Sequence, residues 1–139
     1  MPGTTYYNQD TAFGLKGGIA VTAGELIGCS NTGAAVKADG DAGTPIRALG
    51  VAIIDRSAAE PKIGISDDCL VEYPGSNFTP GGRVYLSGVP GGITQVALSA
   101  AGNLRQVVGT AISSTCVRFR IFPIDFVVQA AGNSAVAFG

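Results

Sequence analysis

Glycine and proline divide almost the whole chain into short apolar runs. The 139 residues include 21 Gly and 7 Pro, and most of them fall between segments rich in Val, Ile, Leu and Ala. Glycine weakens a helix interior and proline breaks it. No window of about 11 residues keeps an apolar face at helical spacing without one of them, and "ALSAAGNL" allows one helical turn at most. The pattern therefore predicts an all-β protein.

Short apolar runs bounded by turn residues are typical of β-strands. The clearest run is "CVRFRIF", in which Val117, Phe119 and Ile121 share one face of a strand. Arg118 and Arg120 share the other face, so one face is expected on a core and one outside. We predict strands near residues 18–22, 25–29, 34–37, 46–54, 62–66, 69–73, 83–87, 93–97, 105–113 and 116–127.

One phrase occurs twice. "IRALGVAI" at 46–53 and "LRQVVGTAI" at 104–112 are apolar runs that contain one glycine and close on Ala-Ile. When Gly50 is aligned with Gly109, "TAGELIGCSNTG" upstream of the first corresponds to "TPGGRVYLSGVPGG" upstream of the second. Downstream, "KIGIS" corresponds to "VRFRI". The chain therefore contains two versions of one β unit, roughly 58 residues apart.

Two such units favour one β-sandwich or small β-barrel in which each half supplies a layer. The period is too long and the copies are too few for a solenoid or a propeller. A glycine inside a strand marks a β-bulge or a close approach of another part of the chain. We expect Gly50 and Gly109 to occupy such positions and to let each sheet curl.

The N-terminal segment, residues 1–17, differs from the predicted single β domain at 18–125. It carries one acidic and one basic side chain, with Tyr6, Tyr7 and Phe13 spread among polar residues. It cannot form a core alone, yet its aromatic side chains favour burial. We predict an extended arm that lies on a neighbouring copy of the chain; the alternative is a disordered tag.

The C-terminal segment, residues 126–139, has no charged side chain and includes Phe138. Disordered tails are usually more polar than this. We therefore predict a second assembly segment, again with a disordered tag as the alternative.

The composition allows two kinds of surface: an exposed face made of Ser, Thr, Asn, Gly and backbone, or a surface largely covered by other subunits. Charged residues make up 14% of the chain, against about 25% in typical soluble domains. Apolar surface of this kind is normal at a subunit interface. The net charge of −1 and the lack of a basic stripe argue against a nucleic-acid partner. No run approaches the roughly 18 apolar residues of a membrane span. No secretory leader is evident, which predicts synthesis in a cytoplasm.

Catalytic, cofactor and metal chemistry have little support in the sequence. The chain has no His, the commonest acid–base residue. Asp67 and Asp68 are adjacent, so in a strand they point to opposite faces. The turn "ADGDAG" lacks most of a calcium loop. Cys29, Cys69 and Cys116 lie in apolar runs and are expected to be small buried hydrophobic residues. We predict no catalytic, cofactor-binding or metal-binding residue.

Taken together, the "TAGE" turn, "ALGVAI" and "PGGRVYLS", with "VVGTAIS" and "VRFRIFP" further on, resemble the small head decoration (cement) proteins of tailed bacteriophages. The resemblance covers roughly residues 18–124. It implies a structural virion protein that binds the outer surface of the icosahedral capsid and ties neighbouring coat subunits together. It further implies the major capsid protein as partner, a homotrimer and a place on the outside of the virion. Contact residues differ within the family, so none is transferred.

Two other functions remain open from the residues. Another virion component, such as a head fibre base or a tail protein, has the same requirements. A carbohydrate-binding β domain would present aromatic platforms to sugar rings, but Trp is absent and only four Tyr are present. We predict six contact residues for sister copies or for the capsid: Tyr6, Tyr7, Phe13, Arg118, Arg120 and Phe138.

Arg118 and Arg120 form the charged part of this set. They lie about 7 Å apart on one strand face, close enough to engage one acidic patch. The alternative is a solvated outer face on which both arginines have carboxylate partners within the chain.

Overall fold

The predicted all-β class is confirmed by a computed structural model, which describes residues 3–7, 12–41, 43–122 and 126–128. The described residues contain thirteen strands and no helix. The strands are β1 (Thr4–Tyr7), β2 (Ala12–Lys16), β3 (Leu26–Cys29), β4 (Ala35–Lys37), β5 (Gly50–Ala52), β6 (Lys62–Ser66), β7 (Asp68–Glu72), β8 (Arg83–Leu86), β9 (Ile93–Thr94), β10 (Leu104–Arg105), β11 (Val107–Ala111), β12 (Cys116–Arg120) and β13 (Phe126–Val127).

Two antiparallel sheets pack as a sandwich. The six-stranded sheet has the order β1-β7-β12-β11-β8-β9, and the five-stranded sheet has the order β2-β6-β5-β3-β4. Strands β10 and β13 form a separate antiparallel pair. The sheets are layers and not the walls of one closed barrel, so of the two predicted architectures the sandwich is the observed one.

Each half of the sequence builds one sheet, as the doubled phrase predicts. The first half follows the order β2-β6-β5-β3-β4, and the second follows β7-β12-β11-β8-β9. Apart from β10, which lies outside both of these sheets, the five strands of each half thus occupy the same relative places. Strand β1 is an addition to the second sheet, where it pairs with β7.

In both halves, the doubled phrase accepts the same backbone hydrogen bond from a glycine turn. Gly24 of "TAGE" has φ of +91° and Gly81 of "TPGG" has φ of +83°, values that favour glycine. The amide of Gly24 donates to the carbonyl of Ala52 at 3.0 Å, and the amide of Gly81 donates to the carbonyl of Ala111 at 2.7 Å. These two alanines are the third residues of "GVAI" and "GTAI". The repeat in the sequence is therefore a repeat of backbone hydrogen bonding.

Gly50 and Gly109 are sites of close approach, as predicted. A Cβ on Gly109 would collide with the backbone carbonyl of Arg118, and the strand register shifts between Val107 and Gly109. A Cβ on Gly50 would lie 2.9 Å from the Cδ1 atom of Ile65. The first contact is with backbone and the second with a side chain, so the two glycines are under different constraints.

The main core lies between the sheets. Its buried members come from both: Leu26, Ala38, Ala48, Val51, Cys69, Val71, Tyr73, Val84, Leu86, Leu104, Val108, Ala111, Val117, Phe119 and Ile121. The burial of Val117, Phe119 and Ile121 confirms the predicted inner face of that run. A second cluster covers the other face of the five-stranded sheet and contains Val21, Ile27, Ala35, Ala52, Ile63 and Ile65.

The predicted N-terminal arm contributes strands to its own chain. Strand β1 pairs with β7 in one sheet, and β2 pairs with β6 in the other. Both strands were absent from the sequence-based prediction because "TTYY" and "AFGLK" show no alternation of apolar and polar residues. Contact of this segment with a neighbouring copy stays a prediction.

Other strand predictions need correction at their ends. The predicted strand at 18–22 is wrong: within it only Val21 pairs, through one bridge to Arg56. Gly17 precedes it, and Gly18, its first residue, has φ of +129°, which does not continue a strand. The predicted strand at 46–54 is reduced to β5, Gly50–Ala52. The two-residue strand β10 was not predicted separately from β11.

Part of the predicted C-terminal segment pairs within the chain. Strand β13, Phe126–Val127, pairs with β10 in the register Leu104 opposite Val127. Residues 129–139, which include Phe138, lie outside the described residues, so the predicted contact of Phe138 stays a prediction.

Candidate functional site

The face of the six-stranded sheet that points away from the core carries exposed apolar side chains. Tyr6 of β1 lies opposite Leu70 of β7, which lies opposite Arg118 of β12, which lies opposite Thr110 of β11. Residues directly opposite one another share a face. We call this row, with the adjoining Ile112 and Asp68, the outer face.

The outer face contains a shallow groove beside β1. Its lining is Tyr6, Tyr7, Asp68, Cys69, Leu70, Ile112 and Arg118. Tyr6 is 57% exposed and Ile112 is 54% exposed, although both are large apolar side chains. Five of the six predicted contact residues lie on described strands. Of these, Tyr6, Tyr7 and Arg118 are brought together along the groove.

The charged groups of the outer face are partly neutralised within the chain. The Nη2 atom of Arg118 lies 3.2 Å from the Oδ1 atom of Asp68, and both side chains are more than a third exposed. An exposed pair of this kind contributes about 0–1 kcal/mol. The guanidinium of Arg120 lies 5.6 Å from the ring centre of Phe122. Arg118 and Arg120 do share one exposed face, as predicted, but Arg118 also has a carboxylate partner in its own chain.

Phe13 lies elsewhere. It belongs to β2, where it pairs with Ile65 at an edge of the five-stranded sheet, and it is 41% exposed. The structure therefore does not bring Phe13 together with Tyr6 and Tyr7.

Sequence reasoning missed the apolar centre of this surface. Leu70 and Ile112 were not among the predicted contacts. The signal was available for Leu70, because the alternation in "DCLVE" places it on the face opposite to Cys69 and Val71. Ile112 is the last residue of the doubled phrase. Nothing in that position indicates that its side chain is exposed.

Two of the cysteines beneath the surface are unreactive by environment. Burial raises the pKa of the Cys69 thiol to about 12. Burial also raises the pKa of Cys116. A thiol with a raised pKa is a poor nucleophile, because the thiolate is the reactive form. Both residues are buried, as predicted.

The prediction that all three cysteines are buried is wrong for Cys29. This residue is exposed at the end of β3, where its thiol donates to the carbonyl of Ser30 at 3.3 Å. The strand leaves the core at this point and enters the turn at Ser30–Gly33, whose ends are joined by a 3.0 Å hydrogen bond. The apolar run in the sequence extends to Cys29, the last residue of β3, whereas the buried core ends before this residue.

The inner side of the same sheet is fixed by a buried tyrosine. The hydroxyl of Tyr73 donates to the carbonyl of Gly24 at 2.6 Å, which links the second sheet to the turn of the first half. Burial raises the pKa of Tyr73, so its hydroxyl keeps its proton and its donor role. The ring makes edge contacts with Phe78 and Phe119 at 5.9 and 6.4 Å between centres. The outer face therefore lies over a packed aromatic layer.

Over the described ranges, no three His, Cys, Asp or Glu side chains are grouped as a metal site would require. Within the same ranges no helix has the length and apolar character needed to cross a membrane. The geometry defines a β-sandwich of two like sheets with one open face of mixed apolar and polar character. No protein-family model matches this chain, and no curated protein matches it.

Proposed function

We propose that this chain is a head decoration protein of a tailed bacteriophage, which binds the outside of the capsid and ties neighbouring coat subunits together, as a trimer. The observation that carries the proposal is the outer face of the six-stranded sheet. It is a broad, shallow surface with large exposed apolar side chains and one weak ion pair. Such a surface suits a wide protein contact better than it suits a small ligand.

The contrast between the two sheets supports this proposal. The far face of the five-stranded sheet is covered by its own cluster, which includes Ile63 and Ile65 at 0% exposure. The far face of the six-stranded sheet leaves Tyr6 and Ile112 more than half exposed. One half of the chain thus completes its burial internally, and the other half is left with surface for a partner.

The low net charge is consistent with a static structural contact. A protein that captures a charged ligand by long-range steering needs a strong field of one sign. This chain has 9 basic and 10 acidic side chains. Three linked copies raise the effective concentration of each weak contact, so stable decoration does not need a strong single site.

The direct test is cosedimentation with expanded, undecorated capsids of the phage whose genome encodes the chain. The solution mass of the free protein is measured first, and a trimer is expected. A variant carrying Leu70→Asp and Ile112→Asp should bind capsids at least tenfold more weakly, because each new charge must be desolvated in the contact. Val96→Asp is the matched control, since Val96 is 78% exposed and lies outside the outer face.

Two results would contradict the proposal. Wild-type protein that fails to sediment with these capsids rules out decoration. Binding by the double variant at wild-type strength removes the outer face from the contact. A glycan panel run on the same preparation separates the carbohydrate-binding alternative, because decoration predicts no retained sugar.

The arginine pair needs a second arm in this experiment. Reversal of both charges, Arg118→Glu with Arg120→Glu, also breaks the ion pair of Arg118 with Asp68. Adding Asp68→Lys restores a local pair of reversed sign. If the arginines contact the capsid, binding stays weak after this restoration; if they serve the chain alone, binding returns.

A further inference from the structure

Strand β1 leaves one edge of the six-stranded sheet open, and the direction of its backbone groups follows from its neighbours. The amide of Tyr73 donates to Thr115 at 2.7 Å, and the amide of Ile121 donates to Asp67 at 2.8 Å. In an antiparallel ladder, alternate residues point their backbone groups to alternate sides. Odd-numbered residues of β7 therefore face β12, and even-numbered residues, including Leu70, face β1.

The same alternation assigns the groups of β1. Thr4 and Tyr6 pair with the even-numbered residues of β7, so their N–H and C=O groups point into the sheet. The groups of Thr5 and Tyr7 point away from it. Within the described part of the chain, neither Thr5 nor Tyr7 has a backbone hydrogen-bond partner on this outer side. On the same side, the amide of Gly3 donates to the carbonyl of Ala23 at 2.9 Å, so the edge is covered at Gly3. At Thr5 and Tyr7 it is open and offers two donors and two acceptors.

At Thr5 and Tyr7, beyond the contact of Gly3 with Ala23, this edge lacks the features that prevent edge-to-edge pairing. Proteins protect sheet edges with charged side chains, proline, very short strands or a covering segment. Strand β9, the opposite edge, has two residues. In the five-stranded sheet, β4 ends in Lys37, and Lys16 of β2 forms a parallel bridge to Ala34. By contrast, β1 is "TTYY", with four uncharged residues of high strand propensity.

We propose that β1 pairs antiparallel with β1 of a second copy of this chain, with Tyr6 opposite Tyr6 across a twofold axis. In this register Thr5 of one copy lies opposite Tyr7 of the other. All four outward groups of each strand then form hydrogen bonds, because the same set of donors and acceptors is presented in reverse order. The two Tyr6 rings meet on the outer face, next to Leu70 of each copy.

This contact is self-complementary, whereas the contact in a trimer is head-to-tail, so the two are separate. The strand is short, and an edge of four residues buries much less area than a stable dimer needs. The pairing is therefore weak for the free protein and becomes effective where copies are held close together. If the proposed function is correct, this pairing joins neighbouring decoration proteins on the capsid surface. The pairing itself does not require a capsid.

Amide hydrogen exchange tests the pairing within a single molecule. Between about 0.05 and 2 mM protein, exchange at the Thr5 and Tyr7 amides should slow by about two- to fourfold, as expected for weak association with a dissociation constant of about 0.1–1 mM. The Thr4 and Tyr6 amides, which are bonded to β7, should not change with concentration and serve as internal controls. Exchange at Thr5 and Tyr7 that is independent of concentration over this range overturns the proposal.

Charge substitution tests the register. Tyr6→Lys alone and Tyr6→Asp alone each place like charges opposite one another, and each should abolish the concentration dependence. An equimolar mixture of the two variants should restore it, because only the mixed pair brings opposite charges together. Val96→Lys is the matched control for charge, since Val96 is exposed and lies away from β1. A mixture that stays unprotected excludes this register.

These outcomes are independent of the proposed function. If the wild-type protein shows no edge pairing but still sediments with capsids, the β1 contact is refuted and the proposed function stands. Retained pairing with no capsid binding refutes decoration alone.

Discussion

The two sheets differ most where their sequences correspond. When Gly50 is matched with Gly109 and Gly24 with Gly81, one row of positions is apolar and buried in both halves. This row consists of Ile27, Ala52 and Ile65 in the five-stranded sheet and of Val84, Ala111 and Val117 in the six-stranded sheet. The repeat is thus conserved in structure on one face of each sheet.

The other row of matched positions has diverged. Leu26, Val51 and Ser66 are buried against the six-stranded sheet, whereas the corresponding Arg83, Thr110 and Arg118 are exposed. The hydrogen-bonded partners are the same: Val51 pairs with Leu26 as Thr110 pairs with Arg83. Strand pairing is the same in both sheets, so it does not explain this difference in burial. The difference must follow from where each sheet lies in the stack of layers.

The sheets are stacked front to back. In a twofold arrangement, corresponding faces would meet at the centre of the sandwich. Here the face with Leu26 and Val51 meets the face with Val84 and Val117, which are not corresponding rows. Front-to-back stacking leaves one face at each end. Residues near Val21 cover the first end, and the outer face is the second.

The largest predicted effect comes from placing one charge at two matched positions. Val51→Asp buries a carboxylate at 0% exposure and should reduce the free energy of unfolding by about 4 kcal/mol or more. Thr110→Asp, at the corresponding exposed position, should change it by less than about 0.5 kcal/mol. Urea denaturation measures both.

A milder pair keeps this comparison measurable if Val51→Asp does not fold. Val51→Thr introduces the residue of the matching position and should cost about 1–3 kcal/mol, because its hydroxyl is buried. Thr110→Val should be nearly neutral. Equal costs for these two substitutions would contradict front-to-back stacking.

The second prediction compares the two strand glycines. Gly109→Ala should cost about 3 kcal/mol, because the new Cβ meets the backbone carbonyl of Arg118, which cannot move without breaking the ladder. Gly50→Ala should cost about 1–2 kcal/mol, because its Cβ meets the side chain of Ile65, which can rotate. Thermal unfolding gives the order, and the reverse order would be inconsistent with the close approach at Gly109.

The sequence was most informative where the pattern within a segment also decides which of its residues are buried in the folded protein. The alternation from Val117 to Ile121 predicts a strand with the correct inner and outer faces, and the doubled phrase predicts two like layers. Both signals are carried by residues whose burial and backbone geometry follow from their own segment. The same holds for Gly109, where close packing leaves no room for a side chain.

The features that the sequence did not predict depend on how separate segments are placed relative to one another in the fold. Strand β1 exists because β7 offers an open edge, and "TTYY" contains no pattern that identifies this partner. Leu70 and Ile112 form a surface because, among the described residues, no further layer packs on the outer face of the six-stranded sheet. Cys29 is exposed because the core ends before its strand does. In each case the missing information is the position of another segment.

The third prediction concerns the turns that open the two halves. Tyr73→Phe removes the hydroxyl that donates to the carbonyl of Gly24 in a buried site and should cost about 1–2 kcal/mol. In the second half, a Cβ on the matching turn residue, Gly81, would meet nothing within 4 Å. Tyr85→Phe, a half-buried tyrosine on β8, is the control and should cost less than about 0.5 kcal/mol. Similar costs for the two substitutions, measured in urea, would remove the special role of Tyr73 at the first turn.

The smallest predicted effect concerns two thiols, the buried one of Cys69 under the outer face and the exposed one of Cys29 at the end of β3. Burial raises the pKa of Cys69 from 9.0 to about 12. The unfolded chain therefore loses this proton at lower pH than the folded chain does. Stability linked to Cys69 is complete below pH 9 and is lost as the pH rises toward 12, by about 1 kcal/mol at pH 10. Cys69→Ala should remove this contribution to the pH profile, and the raised pKa values of Cys116 and Tyr73 should leave a remaining loss of stability at high pH. Alkylation of native protein at pH 8 should label Cys29 alone, and prompt labelling of Cys69 would show that the sheet beneath the outer face opens.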